Sequence, residues 1–527
     1  MSINSQSIAS TKGVRTSETS FAVQGKVLPS RKLLAGGFAP AKTAIVAGQK
    51  YTAANSVRAA ELFGYGSQIH RMAIYHELSS GGVPMDFLPL PAASGGAAAT
   101  KTITFATNAT SAGTYHFRLG SYLKKEVVSI GVASGATPAV QAAALVAAAA
   151  LVPNLPFTFA QGSSPNEGVV TATAKTADKT SQSLKITVNA GTDEAKDLPT
   201  GTTVTIADGT IGAGLSALTG LADFLASESS PRYTSVVQPY NDTAALDTIK
   251  AVVGNPNEAT GLYDDLDYRP FTAYNADTTE GDAGLAALIA LGAARKLDCA
   301  NLMIGAPSYP ELGYEIAAYV SGLVDKQGVE ASATEYTRLT LPELFGPLDL
   351  AEDWTVTAPA GTHAYANRNA AVTAGITPLI YKDGVVQPGD MTTFWHPDDN
   401  QNAPFKYAVN RIKIWNAQYN LFAAINSNTL KDRPVVYNAA AVKRSEKAMD
   451  ADTLRSVIAQ VVGIMEEFAW IYQGEWTIKN TTVESDSTNP DRFNFKVPVV
   501  VSGNNRVNSG EVQVDRNFDS VNLTIVA

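Results

Sequence analysis

"TSVVQPYNDTAALDTIKAVVG", from Thr234 to Gly254, carries the reading of the fold. Its first part, Thr234–Tyr240, is a short apolar run that reads as a strand. Its second part, Asn241–Gly254, is helical, with Asn241 or Asp242 near the N-cap. The pattern then repeats: "RPFTAYNA" is strand-like, "GDAGLAALIALGAARKL" helical, "ANLMIGAP" a strand and "YPELGYEIAAYVSGLVD" a helix. Strands alternating with helices of roughly 10–15 residues predict an α/β core, a doubly wound layer with a mostly parallel sheet.

Upstream, residues 1–40 read as an N-terminal arm rich in Ser, Thr and Gly, with one short strand candidate, "SFAVQGKVL". Order is expected to begin at "TAIVAG" (Thr43–Gly48), as a buried strand. Two short helices follow, Ser56–Gly64 with Ser56 as N-cap and Ser67–Leu78 with Ile69, Met72, Ala73 and His76 on one face. "MDFLPLP" (Met85–Pro91) closes this first core part, 41–91. From 92 to 214 the texture becomes rich in Ala, Thr, Gly and Ser. It carries short alternating runs ("KTITFAT", "TYHFRLG", "KKEVVSIGV", "GVVTATA", "SLKITVNA", "TTVTIAD") and one Ala-rich helical stretch, Ala139–Val152. This reads as an inserted β-rich domain.

Downstream of the second core part, 215–350, residues 351–510 read as a C-terminal domain. Leu379–Gln387 is a hairpin with an Asp-Gly corner. Helices follow near Ala408–Asn426 and Asp452–Tyr472, the latter with Leu454, Ile458, Val461, Met465 and Phe468 on one stripe. From "EWTIKNTTVE" onward everything reads as strand, ending in a strand arm, 511–527. There Val521, Leu523 and Ile525 alternate with polar residues. The last strand needs a partner, in its own sheet or a neighbour's. The fold class expected is therefore α/β with α+β character, multidomain, with extended strand arms at both ends.

Composition bounds the function. Of 527 residues, 45% are hydrophobic and 17% charged, below the usual charged share of about a quarter, which suits large buried contacts. No segment reaches the ~18 apolar residues of a membrane span, and the N-terminus shows no apolar signal-peptide core. The only cysteine, Cys299, excludes an intrachain disulfide and fits a reducing compartment. Residues 1–60 hold eight Lys/Arg against Glu18, so +7 there leaves −16 for the rest of a chain of net charge −9. That is a solvated basic tail, or an arm that docks on an acidic surface, including that of another copy. Direct nucleic-acid binding is not expected, because the molecule is acidic and the arm has one aromatic, Phe21.

A search for chemistry returns little. His70 and His76 are six apart, not at the spacing of a zinc pair. His396 with Asp398 and Asp399 reads as a solvated loop before a metal site, and Asp264, Asp265 and Asp267 as an exposed acidic loop. "GTHAYA", around His363, looks like the histidine segment of subtilisin-type proteases. No nucleophile elbow accompanies it, and no phosphate-binding or dinucleotide motif is present. No catalytic, cofactor or metal residue is assigned, and a structural or assembly role is expected. A degenerate hydrolase and a surface adhesin or S-layer-like binding protein are the rival readings.

Several stretches together resemble the tail sheath proteins of contractile-tailed bacteriophages, particularly the Mu-like branch. They are "SIASTKGVR" (Ser7–Arg15), "AAELFGYGSQIHRMAIYHEL" (Ala59–Leu78), "MDFLPLP", the insertion from Thr114 to Val152 and from Gly168 to Asn189, "HAYANRNAAVTAGITPLIYKDGVVQPGDMTTFW" (His363–Trp395), and the closing Glu466–Asn480 and Arg492–Phe518. The resemblance implies a subtilisin-like core without catalytic residues and no enzymatic activity. It implies a homo-oligomer, a helical stack of rings around an inner tail tube protein, meeting baseplate and tail terminator proteins, in a virion assembled in the host cytoplasm. It also implies that the arms donate strands to neighbouring subunits, with Phe21, Val23 and Val27 at one end and Val521, Leu523 and Ile525 at the other. A bacteriocin or injection-machine sheath is the near alternative.

Overall fold

Elements of a mixed α/β, multidomain architecture follow the chain from Lys32. The computed structural model describes residues 26–504 apart from 192, 228–229, 265–268, 280, 308, 331, 335–363, 383–384, 428–429, 431–433, 437–447 and 490. The described part of the chain opens with β1 (Lys32–Gly36), β2 (Tyr51–Thr52), α1 (Ser56–Phe63), α2 (Gln68–Ser79) and β3 (Met85–Pro89). Nine short strands and one helix follow: β4 (Ser94–Ala97), β5 (Thr100–Phe105), β6 (Gly113–Leu119), β7 (Val128–Val132), α3 (Pro138–Ala150), β8 (Phe157–Gln161), β9 (Val169–Ala174), β10 (Ile186–Val188), β11 (Val204–Asp208) and β12 (Ala213–Leu215). Among the described residues these strands pair only with one another, in sheets ordered β10-β6-β7 and β11-β5-β9-β8. β4 and β12 lie antiparallel where the chain departs and returns.

The α/β rhythm resumes with α4 (Thr219–Ala226), β13 (Ser235–Val237), α5 (Thr243–Val253), β14 (Thr272–Asp277), α6 (Gly281–Ala294), β15 (Asn301–Gly305), α7 (Gly313–Glu330), α8 (Ala364–Thr373), β16 (Ile376–Lys382) and β17 (Val385–Pro388). The main sheet is ordered β17-β16-β15-β14-β13-β1-β3-β2. Its six central strands are parallel, and β2 and β17 close the edges antiparallel. Alternate residues serve opposite faces. Leu34, Val237, Tyr274 and Leu302 face a cluster with α2 and α7. Leu33, Val236 and Ala273 face α4 and α5, and Met303 and Ile376 face α6 and α8. The predicted hairpin is present, with Lys382 paired to Val385.

The first strand is not where the apolar runs place it. "TAIVAG" forms successive turns: Lys42 N–H donates to Ala39 O and Ile45 N–H to Lys42 O. Val46 N–H donates to the Tyr51 hydroxyl, and its side chain is half exposed. The buried strand is "KLLAG", inside the stretch expected to be an arm, between β3 and β13 in mid-sheet. A lysine at its first position hides it from an apolar scan. That lysine is buried, with Nζ 2.6 Å from Asp325 on α7 and 5.1 Å from the Tyr274 ring centroid. Burial draws its pKa down to about 8, against the opposing pull of Asp325.

Other expectations are adjusted in detail. Asn55, not Ser56, caps α1, accepting from Arg58 N–H. α2 is buried all round from Gln68 to His76, because the sheet, α7 and the 94–215 strands enclose it. After the core come α9 (Ala408–Ile425), α10 (Ala451–Glu467), β18 (Ile471–Tyr472), α11 (Gly474–Asn480), β19 (Thr482–Ser485), β20 (Phe493–Lys496) and β21 (Val500–Val501). "EWTIKN" is thus helix rather than strand. Gln473 enters it at φ 62°, the Glu466 carboxylate accepts from Gly474 N–H, and Thr477 turns inward. α10 stops at Glu467, so Phe468 leaves the buried stripe and stacks on Trp470, centroids 4.9 Å apart. Among the described residues no helix is long and apolar enough to cross a membrane.

Two outcomes are expected. Lys32→Met leaves Asp325 buried without its counter-ion and lowers stability by about 3–5 kcal/mol. Pairing it with Asp325→Asn, which keeps an acceptor for Ser235, recovers more than half in denaturant melts. His70 and His76 are held neutral mainly by burial, their pKa values drawn to about 3. Below the ordinary value near 6.5 the unfolded chain therefore takes up protons that the folded chain refuses. Stability falls with pH from 6.5 to 5 by up to about 1.4 kcal/mol per unit for each histidine, and His76→Gln flattens the measured slope.

Candidate functional site: both ends of the described chain on one helix

The polar row of α9 gathers both ends of the described chain. Lys26 N–H donates to Asn420 Oδ1 at 3.0 Å, and Asn420 Nδ2 donates back to Lys26 O at 2.8 Å. Leu28 N–H donates to Asn416 Oδ1 at 2.6 Å. The match is geometric. Two residues four apart on a helix are separated by about 6 Å, and two residues two apart on an extended chain by about 6.6 Å. The asparagines thus pair with the backbone as a neighbouring strand would, without reading its sequence. Ser30 then donates to Asp325 O and Arg31 N–H to Thr234 Oγ1, which delivers the chain into β1.

One turn away, buried Lys413 donates to Ser502 O at 2.8 Å and to Asn504 Oδ1 at 2.6 Å. Asn504 Nδ2 donates to Ala333 O, and Ser502 N–H to Trp470 O. α9 itself is bolted to the core. Arg411 is buried, donates to Phe271 O at 2.8 Å and to Cys299 O, and stacks on Trp415. Apolar packing completes the site, as Val27, Val497 and Val499 lie against a cluster that includes Ala417, Leu454, Ile458 and Ile471.

The residues singled out from sequence divide sharply. Val27 packs within its own chain at the root of the N-terminal segment. Phe21, Val23, Val521, Leu523 and Ile525 lie outside the described residues, as does His363. Sequence reading passed over Asn416, Asn420 and Lys413. The signal in the sequence is the i, i+4 asparagine pair Asn416 and Asn420 set among large apolar residues in "WNAQYNLF". Next to the site, β18 pairs with β21 and β19 with β20. Among the described residues each of these strands has one partner, so each two-stranded sheet keeps open edges. Tyr472, Trp476 and Phe495 on these elements are exposed.

Among the described residues no three His, Cys, Asp or Glu side chains converge as a metal site. Asp399 lies exposed beside His396, donating its N–H to His396 O, and pairs with Lys296 at 2.6 Å. Cys299 is buried, its thiol pushed up to about 11, chiefly by desolvation.

No family model matches the chain, and no curated protein matches it. Among solved structures, the chain is similar to a sheath tail protein from Desulfitobacterium hafniense, at 12% identity over 93% of this chain and 100% of that one, with a TM-score of 0.41. It is similar to a sheath tail protein from Listeria innocua, at 9% identity over 92% and 94%, with a TM-score of 0.43. A chain of the anti-feeding prophage baseplate aligns at 11% identity over 96% and 100%, with a TM-score of 0.44.

The clamp has a direct readout. Asn420→Leu removes both partners of the Lys26 peptide unit, a loss of about 1–3 kcal/mol locally. Amide exchange at Lys26 and Leu28 is expected to rise tenfold or more, with the protection of β14 and β15 unchanged.

Proposed function

We propose that this chain is a structural, non-enzymatic subunit of a contractile tail sheath, polymerising helically around an inner tail tube and contracting to drive that tube through a host envelope. The observation that carries the reading is the convergence of both ends of the described chain, Lys26–Leu28 and Ser502–Asn504, on α9, beside strands that have one partner each among the described residues. Chain ends fixed at their roots and next to open edges suit exchange of terminal strands between copies. In such β-augmentation main-chain hydrogen bonds supply affinity and alternate side chains supply register.

The spread of sheath-like segments along the sequence supports the same reading. So does the charge pattern: a basic first segment can meet the exposed acids of the C-terminal elements, such as Glu467, Glu475 and Glu484, on another copy. Phe21 and Val23, and Val521, Leu523 and Ile525, are the residues proposed to pair across copies. Head-to-tail contacts that do not close into a ring build an open helical filament rather than a dimer. Contraction would then be rigid subunits rotating while strand links hold, each gaining buried apolar area at ~25 cal/mol/Å². Baseplate and terminator proteins would start and end the filament in a virion assembled in the host cytoplasm. The insertion, 92–214, would face outward, which favours a phage sheath over that of a bacteriocin or injection machine.

Negative-stain microscopy of the full chain in salt, beside a chain stopping at Asp519, tests this. Hollow tubes from the first and monomers from the second are expected. Tubes from both return the last strand to its own subunit, and monodisperse particles from both, even with tube protein added, overturn the polymer.

A further inference from the structure

By strand pairing alone the 94–215 segment is a separable module, tied to the core through β4 and β12. Its side chains describe a different object. Arg71, on core helix α2, is fully buried and divides its donors between the two parts. Nη1 meets Glu126 at 2.5 Å and Asn154 O at 3.4 Å, and Nη2 meets Ser121 at 3.3 Å, all from the insertion. Nε meets Glu315 of α7 at 2.7 Å, and Nη2 meets Tyr75 at 3.4 Å, both from the core.

Two further bridges flank it. Gln68 accepts from Gly37 N–H, just past β1, while its Nε2 donates to Asp178 at 2.8 Å and Thr180 at 2.6 Å. Asp178 also accepts from the Tyr240 hydroxyl, beyond β13. Lys175 reaches across to Tyr65 O at 2.9 Å while holding Pro153 O at 2.8 Å. Backbones approach closely between these bridges: a Cβ on Gly66, at φ +78°, would lie 2.2 Å from Leu155 O. The apolar core is also shared, since Leu34, Phe63 and Met72 belong to one continuous cluster with Ile103, Phe105, Phe117 and Phe157.

We infer that the insertion and the core are one rigid, cooperatively unfolding unit keyed by Arg71, so that the insertion is neither hinged nor removable. Opening this interface would strip Arg71 of Glu126, Ser121 and Asn154 O and leave its Nη donors without these partners beside Glu315. Opening this interface would also expose one apolar cluster from both halves. The consequence for assembly rests on the sheath reading: an outward-facing insertion moves with α2 and α7, and a contact made on its outer rim is borne by the sheet.

Native-state amide exchange of the full chain, read on monomer at low concentration, tests the unit without reference to polymerisation. The slowest amides of β5 and β9 and those of α2 and α7 are expected to open together, with equal free energies and equal denaturant slopes. Lys175→Met, which removes two bonds at the edge of the interface, is expected to lower protection in both sets by the same factor, tenfold or more. An insertion that opens first while α2 and α7 stay protected overturns the inference. So does a Lys175→Met effect confined to the insertion. Tubes in the microscope with two separate openings here would leave the sheath standing without this unit. A single opening without tubes would leave the unit without the sheath.

Discussion

Lys32 enters the sheet with its ammonium 2.6 Å from Asp325, and water reaches neither group. Everything else in the core is arranged around the strand that this pair positions. β1 lies between β3, from the chain before the insertion, and β13, from the chain after it. It is the one strand that joins the two halves of the sheet. An apolar pair of similar volume would match the stability of a buried ion pair or exceed it, so its value here is register. A shift of β1 by one residue would turn Lys32 toward the apolar face formed with α4 and α5 and bring Leu33 against Asp325. Asp325 also takes the Ser235 hydroxyl at 2.6 Å, so β1 and β13 are aligned from the same carboxylate.

α7 carries a second such contact. Glu315 lies in its first turn and Asp325 ten residues on, about 15 Å along the axis. The first fixes Arg71 and with it the insertion, and the second fixes β1 and with it the N-terminal root. α9 does the same for Lys26–Leu28 and for Ser502–Asn504. The molecule therefore uses apolar packing where elements stack and geometry-demanding polar contacts where segments leave the sheet. Packing tolerates exchange of one apolar shape for another, whereas a paired guanidinium or a doubly bonded asparagine does not.

This division explains what the sequence makes legible. Periodicity exposes elements whose burial follows their own pattern, so the alternating strands of the insertion, the β13–α5 unit and the Lys382–Val385 hairpin can be read directly. "KLLAG" is hidden because its first residue is charged, and the charge is neutralised by a residue 293 positions later, Asp325. "EWTIKN" alternates like a strand, yet it coils because Glu466 and Gln473 start a helix there, a tertiary override of local preference. Arg71 reads as the solvated side of an amphipathic helix, since no local pattern reveals that α2 is covered on every side. The clamp residues of α9 show in the sequence only as an i, i+4 asparagine pair, which does not say what it holds. Side-chain amides that mimic a strand partner leave no trace in the periodicity of the strand they hold.

Rigid roots also matter energetically for any exchange of terminal segments. Fixing one residue's backbone costs about 1–2 kcal/mol of conformational entropy, and a segment that folds on binding draws that cost from its contact energy. Residues 26–32 and 502–504 have already met it in the isolated chain, through bonds to Asn416, Asn420 and Lys413. A segment starting from an ordered root also searches a smaller volume, and its effective concentration at a nearby acceptor edge rises accordingly. If terminal segments are exchanged as proposed, loosening the clamp would weaken that association without altering the exchanged residues themselves. Under the proposed exchange α9 would act on the interface without reaching it, because it holds Lys26–Leu28 and Ser502–Asn504 in place and so fixes the points from which any exchanged segment would start.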